Sequence, residues 1–151
     1  MERVLIILKP DAVQRGLVGP ILTRLEQRGL KLQGLKLMQV DEALARRHYA
    51  EHEGKGFFAA LVGYITSAPV VVAVVMGKAG TVELVRTMVG VTNPAKAAPG
   101  TIRGDFGLEI GRNLIHASDS PASGERETAI FFQPAELIST WDRATDPWVY
   151  E

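Results

Sequence analysis

The chain has 151 residues, 46% of them hydrophobic and 23% charged, which is enough to bury the core of one domain and is an ordinary globular composition. Its formal net charge of zero argues against a chain that lives on nucleic acid or an anionic membrane, and the absence of cysteine excludes disulfides, thiolate catalysis and cysteine-ligated metals. The first apolar run, Val4 to Leu8, is too short for a signal segment or a membrane span, so a cytoplasmic protein is expected.

In chain order, Val4 to Leu8 is a continuous branched run that reads as a buried central strand, with Lys9-Pro10-Asp11 at its C-terminal end. After a loop marked by Gly16 and Gly19, Pro20 is expected to open a helix. Val18, Ile21, Leu22 and Leu25 form its apolar stripe, and Gly29 is its stop. Leu30 and Leu32 alternate with polar residues, and Leu35 and Leu37 then continue on the opposite parity. Gly34 sits at the switch, which predicts a bulge in the second strand. Asp41 begins a helical stretch that Gly54-Lys55-Gly56 breaks, and a further helix is expected from Phe57 to about Thr66. Val70 to Met76, apolar on both parities, predicts a strand covered on both faces.

Thr81 is a candidate cap for a helix with Val82, Val85 and Val89 on one face, ended by Gly90. Residues 91–113 form a long loop rich in proline, glycine and charge, a length that is usually functional. Ser118-Asp119-Ser120-Pro121 reads as a helix start, Thr128 to Phe132 as a last strand, and Pro134 to Ile138 as a short helix. The tail, 141–151, carries two tryptophans and a tyrosine and is expected to be covered. The order of elements fits an α+β sandwich with one antiparallel sheet, helices on one face and a single domain over 1–151. Its doubly apolar strands then need cover on the other face, from the tail, the loop or a partner subunit.

Chemistry concentrates between Gly100 and Glu127, where Arg103, Arg112, Asn113, His116, Ser118, Asp119 and Glu127 crowd one glycine-punctuated run. A histidine just ahead of a helix start, with arginines upstream and a carboxylate downstream, suits an anionic group. From spacing alone, His116 is either a nucleophile for phosphoryl groups or a half-buried histidine capping a loop. The common phosphate-binding glycine motifs are absent, and Asp105-Phe106-Gly107 lacks every other protein-kinase signature. His48 and His52, four apart, could chelate a metal, but paired histidines on a charged helix are more often solvent-facing. Lys9, Arg86, Arg103 and Asn113 stand at loop edges, where they could gather with His116 around a triphosphate.

Lys9-Pro-Asp, Thr92-Asn-Pro, Pro99-Gly-Thr-Ile-Arg-Gly-Asp-Phe, Gly111-Arg-Asn-Leu-Ile-His-Ala-Ser-Asp-Ser and the closing Trp148-Val-Tyr-Glu closely resemble nucleoside diphosphate kinase across essentially the full chain. The resemblance implies a ferredoxin-like α/β sandwich with a four-stranded antiparallel sheet. It also implies an exchange in which a nucleoside triphosphate gives its γ-phosphate to His116 and a nucleoside diphosphate collects it. Nδ1 of His116 would attack, Glu127 would orient the ring through the other nitrogen, and Ser118 would support that contact. A free imidazole, with a pKa of about 6.5, is mostly neutral at pH 7 and is nucleophilic without a separate base.

By the same resemblance, Lys9 would contact the transferring phosphate with Tyr49 close by. Arg86, Thr92 and Arg103 would hold the β- and γ-phosphates, and Asn113 the ribose hydroxyl. Phe57 would stack on the base, with Leu61 and Ile110 lining the other side. Stacking on a face that every base possesses explains loose base choice. One of Phe57 and Phe58 should lie inside and one outside. Mg²⁺ would arrive with the nucleotide and bridge its phosphates through waters, with no direct protein ligand and Asp119 at most outer-sphere. Ala117, where glycine is frequent in relatives, and the loop before Phe57 depart from the pattern without touching a catalytic group. The full-length aromatic tail favours a homo-hexamer over a tetramer, with Pro94 at its threefold contact. Two rivals remain: a ferredoxin-like nucleotide sensor without transfer, disfavoured by the intact His116, Glu127, Lys9 and Arg103, and a nucleic-acid binder, disfavoured by zero net charge.

Overall fold

The computed structural model describes residues 1–151. Strand β1 (Glu2–Leu8) is central, and Val4 to Leu8 are all fully buried. It pairs antiparallel with β3 (Val70–Gly77) on one side and β4 (Ile115–Ala117) on the other. β2 (Lys31–Met38) adds antiparallel to β3, giving the order β2-β3-β1-β4 of a ferredoxin-like sandwich. The β2 register shifts between Leu32 and Gly34, so the expected bulge is there. Gly34 is needed at it, because a Cβ would lie 2.9 Å from Leu137 and 3.0 Å from Phe132.

Helices cover both faces of the sheet rather than one. The residues of β1 alternate between two apolar clusters, as the period-2 geometry of a strand requires. Val4, Ile6 and Leu8 pack with Ala12 of α1 (Pro10–Gln14), with Ile21 and Leu25 of α2 (Val18–Gln27), and with Val82, Val85 and Val89. Leu5 and Ile7 pack with Ala45 of α3 (Glu42–His48), with Phe58, Val62 and Ile65 of α4 (Phe58–Ile65), and with Phe131 and Phe132. The strands apolar on both parities are therefore covered within the subunit.

Several local expectations shift. α1 lies inside the segment read as loop, and α2 begins at Val18 rather than Pro20. α5 (Thr81–Val89) is not capped by Thr81, whose hydroxyl donates to the Lys78 carbonyl. Its first N–H groups are taken instead by the Glu2 carboxylate, from Gly80 at 3.0 Å and Val82 at 2.9 Å. That contact, spanning 78 residues or more of chain, holds the Glu2 carboxyl below its usual range. Residues 91–113 are not structureless: a 3-10 turn at Pro94–Lys96, α6 (Ile102–Phe106) and a 3-10 turn at Ile110–Arg112 organise them, with Pro94 buried.

Thr128 to Phe132 is not a strand. Ser120 caps Ser123, Pro121 takes the first helical position, and α7 (Pro121–Phe131) runs through that segment. A short apolar run is ambiguous between strand and helix, and the cap upstream decides it. The tail forms α8 (Asp146–Val149) and docks on the start of β2. Arg143 donates to the Gly29 and Leu30 carbonyls, and the Trp141 indole donates to the Leu32 carbonyl. The expectation that its aromatics are covered fails at Trp148, which is 89% exposed.

Candidate active site

β4 carries His116 opposite Ile7 of β1, at the sheet edge. Its approach is strained. Leu114 has φ 72, and it is the one residue other than glycine with positive φ, a conformation that costs about 1–3 kcal/mol unless its surroundings fix it. They do so here: the Leu114 side chain is fully buried, and its N–H donates to Asp11 Oδ2 at 3.0 Å. Tyr64 in turn donates its hydroxyl to Asp11 Oδ1 at 2.5 Å, and Arg112 lies 4.3 Å over the Tyr64 ring. Burial, with Asp11 next, pushes the Tyr64 phenol well above its usual range. Asp11 and Tyr64 were not singled out for a role from the sequence. The positive φ that gives them one falls on a leucine, which carries no sequence signal for it.

Glu127, one face of α7 inward, is buried and directly hydrogen-bonded to Nε2 of His116. No hydrogen bond engages Nδ1, and the ring is part-exposed on the wall of a cavity of about 300 Å³. That cavity is also lined by Lys9, Arg86, Thr92, Arg103, Asn113 and Asp119, so the structure brings together most of the cations and donors expected from the sequence. A larger cavity of about 770 Å³ shares Arg86, Gly90 and Asp119 but does not include the histidine, so the smaller one is the candidate site.

The donors are held by one another. Lys9 Nζ donates to Asn113 Oδ1 at 2.8 Å, and Asn113 Nδ2 donates to the Thr92 carbonyl at 3.1 Å. Arg103 donates to three backbone carbonyls, Asn113 at 3.1 Å, Gly90 at 3.1 Å and Ile115 at 2.6 Å, tying the end of α5 to the histidine strand. Burial, then the nearby Arg103, lowers the Lys9 ammonium to about 8. Burial, then Arg86, lowers the Arg103 guanidinium to about 10. These are cations crowded together without a carboxylate among them at hydrogen-bond range, an arrangement suited to an anion. Asp119, exposed at the rim, is held below the usual carboxylate range chiefly by the Ser123 hydroxyl and secondarily by Arg86.

Other expected residues lie around this cavity rather than on its wall. Tyr49 faces a small adjoining cavity of about 80 Å³ with His116 and Glu127, and burial followed by Glu127 pushes its phenol up to about 12. Ser118 is fully buried, but its hydroxyl accepts from the Leu5 N–H at 3.0 Å and forms no hydrogen bond with Glu127; it extends the β1–β4 pairing instead. Phe57 and Ile110 are 51% and 60% exposed and Leu61 is half-buried, while Phe58 is buried, as expected of the pair. His48 is not solvent-facing. It is buried edge-on to His116, centroids 4.7 Å apart, and burial, then His116, lowers it to about 3. Its helix is charged on the outside, and period alone did not single out position 48 as the inward turn.

An antiparallel α+β sandwich that presents a carboxylate-paired histidine beside a cluster of cations can put an imidazole against a polyanion. Comparison with known proteins narrows the class. The family model described as nucleoside diphosphate kinase matches residues 2–137. Nucleoside diphosphate kinases of Chloroflexus aurantiacus and of a Roseiflexus strain are 83% and 71% identical, each over 100% of both chains. The solved structure of a halophilic nucleoside diphosphate kinase from Halobacterium salinarum in complex with CDP superposes with a TM-score of 0.95 at 53% identity, covering 99% of each chain. The chain belongs to the nucleoside diphosphate kinase family, which makes it a phosphotransferase.

Proposed function

We propose that the protein exchanges γ-phosphates between nucleoside tri- and diphosphates by a ping-pong mechanism through His116, and so maintains nucleoside triphosphate pools. The observation that carries this reading is the Glu127 hydrogen bond to Nε2, which leaves Nδ1 of His116 unengaged beside Lys9, Arg86 and Arg103. In the first half-reaction the Nδ1 lone pair attacks the γ-phosphorus, the bond from phosphorus to the β,γ-bridging oxygen breaks, and the diphosphate leaves with that electron pair. Nε2 keeps its proton, and the Glu127 carboxylate offsets the positive charge the ring acquires. Because the carboxylate is fixed before the reaction, no reorganisation is needed when charge develops. The second half-reaction reverses these steps onto another diphosphate.

Lys9, Arg86, Thr92 and Arg103 would hold the phosphates and Asn113 the ribose. Phe57, with Leu61 and Ile110, would clamp the base without reading its edges; the half-exposure of Phe57 suits a stacking platform. Tyr49 would help position Lys9 and the ring, and Ser118 would fix the end of the histidine strand. Mg²⁺ fits as a companion of the nucleotide: Asp119 is a charged carboxylate at the rim, suited to receive a metal-bound water, and with Glu51 as the one other carboxylate on the wall the oxygen ligands fall short of a protein cage. When bound it would neutralise charge on the transferring phosphate. Residues 1–151 would act as one catalytic unit, in the cytoplasm, and assemble as a homo-oligomer, a hexamer rather than a tetramer. No helix is long and apolar enough to cross a membrane.

The test is a pulse and chase. Protein incubated with γ-labelled ATP and Mg²⁺ should take up acid-labile, base-stable label and release it as GTP when unlabelled GDP is added. His116→Ala should bind nucleotide and take no label. Substantial exchange by His116→Ala would overturn the mechanism, and bound ATP without labelling of the wild type would favour a nucleotide sensor.

A further inference from the structure

His48 has no part in the phosphoryl transfer described above, yet it occupies an expensive position. Its side chain is 3% exposed and neither ring nitrogen has a hydrogen-bond partner. A buried polar group left unpaired costs about 1–3 kcal/mol. A phenylalanine would pack against Phe131, 5.2 Å away, without that penalty. What the imidazole adds is a nitrogen facing Glu127: Nδ1 lies 3.7 Å from Oε2, too far for a hydrogen bond. That separation is close to the edge of a tetrahedron of ligands around Zn²⁺, about 3.4 Å for metal–ligand bonds near 2.0–2.1 Å.

We propose that His48, His116 and Glu127 form a three-ligand site for a divalent cation of the Zn²⁺ class, and that occupation of this site silences His116. One ligand atom from each residue lies within 4.8 Å of the other two. Two imidazoles and a carboxylate suit Zn²⁺ and its neighbours in the transition series, whereas Mg²⁺ takes oxygen ligands. The three side chains line the cavity of about 80 Å³, which is room for an ion and a water in the fourth position. Glu51 and Asp119 line it too and favour a cation, with Arg126 opposing them.

The ion takes the place of the His116–Glu127 hydrogen bond. It binds the Nε2 lone pair, so the ring proton moves from Nε2 to Nδ1, and the atom that would attack the phosphate loses its free pair. Binding stands on the geometry alone, and silencing rests on the transfer mechanism proposed above.

Cobalt(II) is the probe, because it occupies zinc sites and its visible absorption becomes intense only in tetrahedral coordination. Titrated into nucleotide-free protein, it should give a saturable tetrahedral spectrum that Zn²⁺ abolishes. His48→Phe should weaken binding by at least the ~10- to 100-fold that even outer partners of a metal are worth. His52→Gln, which alters a half-buried histidine that lines the same cavity but stands outside the three-ligand group, should leave the spectrum unchanged. A purely octahedral spectrum, or undiminished binding by a folded His48→Phe with a normal unfolding midpoint, would overturn the site. In the second arm, Zn²⁺-loaded wild type should fail to take label from γ-labelled ATP, while His48→Phe should label at its own metal-free rate. Normal labelling of the loaded wild type would overturn the silencing. Failure of the metal-free wild type to label would instead overturn the transfer mechanism and leave the cobalt result standing.

Discussion

Lys9 puts its ammonium on the cavity wall with Asn113 as its hydrogen-bond acceptor, and burial with Arg103 beside it lowers its pKa to about 8. The group is therefore charged in the free protein below that pH and loses its charge as pH rises through it. The profile of kcat/KM, which reports free enzyme, should fall on an alkaline limb near pH 8, while kcat holds to higher pH because bound phosphate stabilises the ammonium. Lys9→Arg keeps a cation at all these values and should abolish the limb; a limb unchanged in that variant would assign it to another group. Arg103 carries two duties, since its three carbonyl bonds hold the loop while its charge lines the cavity. Arg103→Ala should slow phosphate transfer by on the order of 10²-fold or more and also lower the unfolding midpoint. Arg103→Lys, one point charge in place of a fork, should leave most of both losses in place.

At the scale of elements, α7 carries Glu127 to His116 by lying directly on β1. Gly124 makes that approach possible: it is buried, and a Cβ there would collide with the Arg3 carbonyl. In an open helix, glycine to alanine stabilises by about 1 kcal/mol. Here the clash reverses the sign, and Gly124→Ala should destabilise by about 1–3 kcal/mol in urea unfolding while slowing phosphorylation of His116 more than it weakens nucleotide binding, because Glu127 lies one turn further along. How much of this was legible in the sequence follows from where information was local. The Ser120-Pro121 cap, the Gly34 bulge and the doubly apolar strands announce themselves within a few residues. The fate of Thr128 to Phe132 depends on a cap eight residues upstream, and the capping of α5 by Glu2 on a contact far along the chain. The cations of the cavity were readable as types near His116; their wiring through backbone carbonyls, and the burial of His48, exist only once the sheet has formed.

For the whole molecule, the cover of the sheet is uneven at one edge. β2 closes the sheet on one side, and the tail occupies its first half, through Ile138 on the Gln33 carbonyl and Trp141 on that of Leu32. Its second half presents Leu35 and Leu37, 50% and 67% exposed, beside unpaired backbone groups. Open apolar edges invite pairing with another chain. The Leu35→Lys/Leu37→Lys double variant should therefore run at a smaller assembly mass than the wild type in size-exclusion chromatography with light scattering. An unchanged mass would place subunit contact elsewhere, with the exposed Trp148 as the next surface to alter.

The central place of β1 also governs how the chain is made. Residues 2–8 leave the ribosome well before their partners, residues 71–77 and 115–117. At about 5–20 residues per second, the apolar run Val4 to Leu8 waits roughly 3–14 s for β3 and longer for β4. An apolar central strand is thus exposed through most of synthesis. The histidine site cannot form until α7, which carries Glu127, has emerged as well.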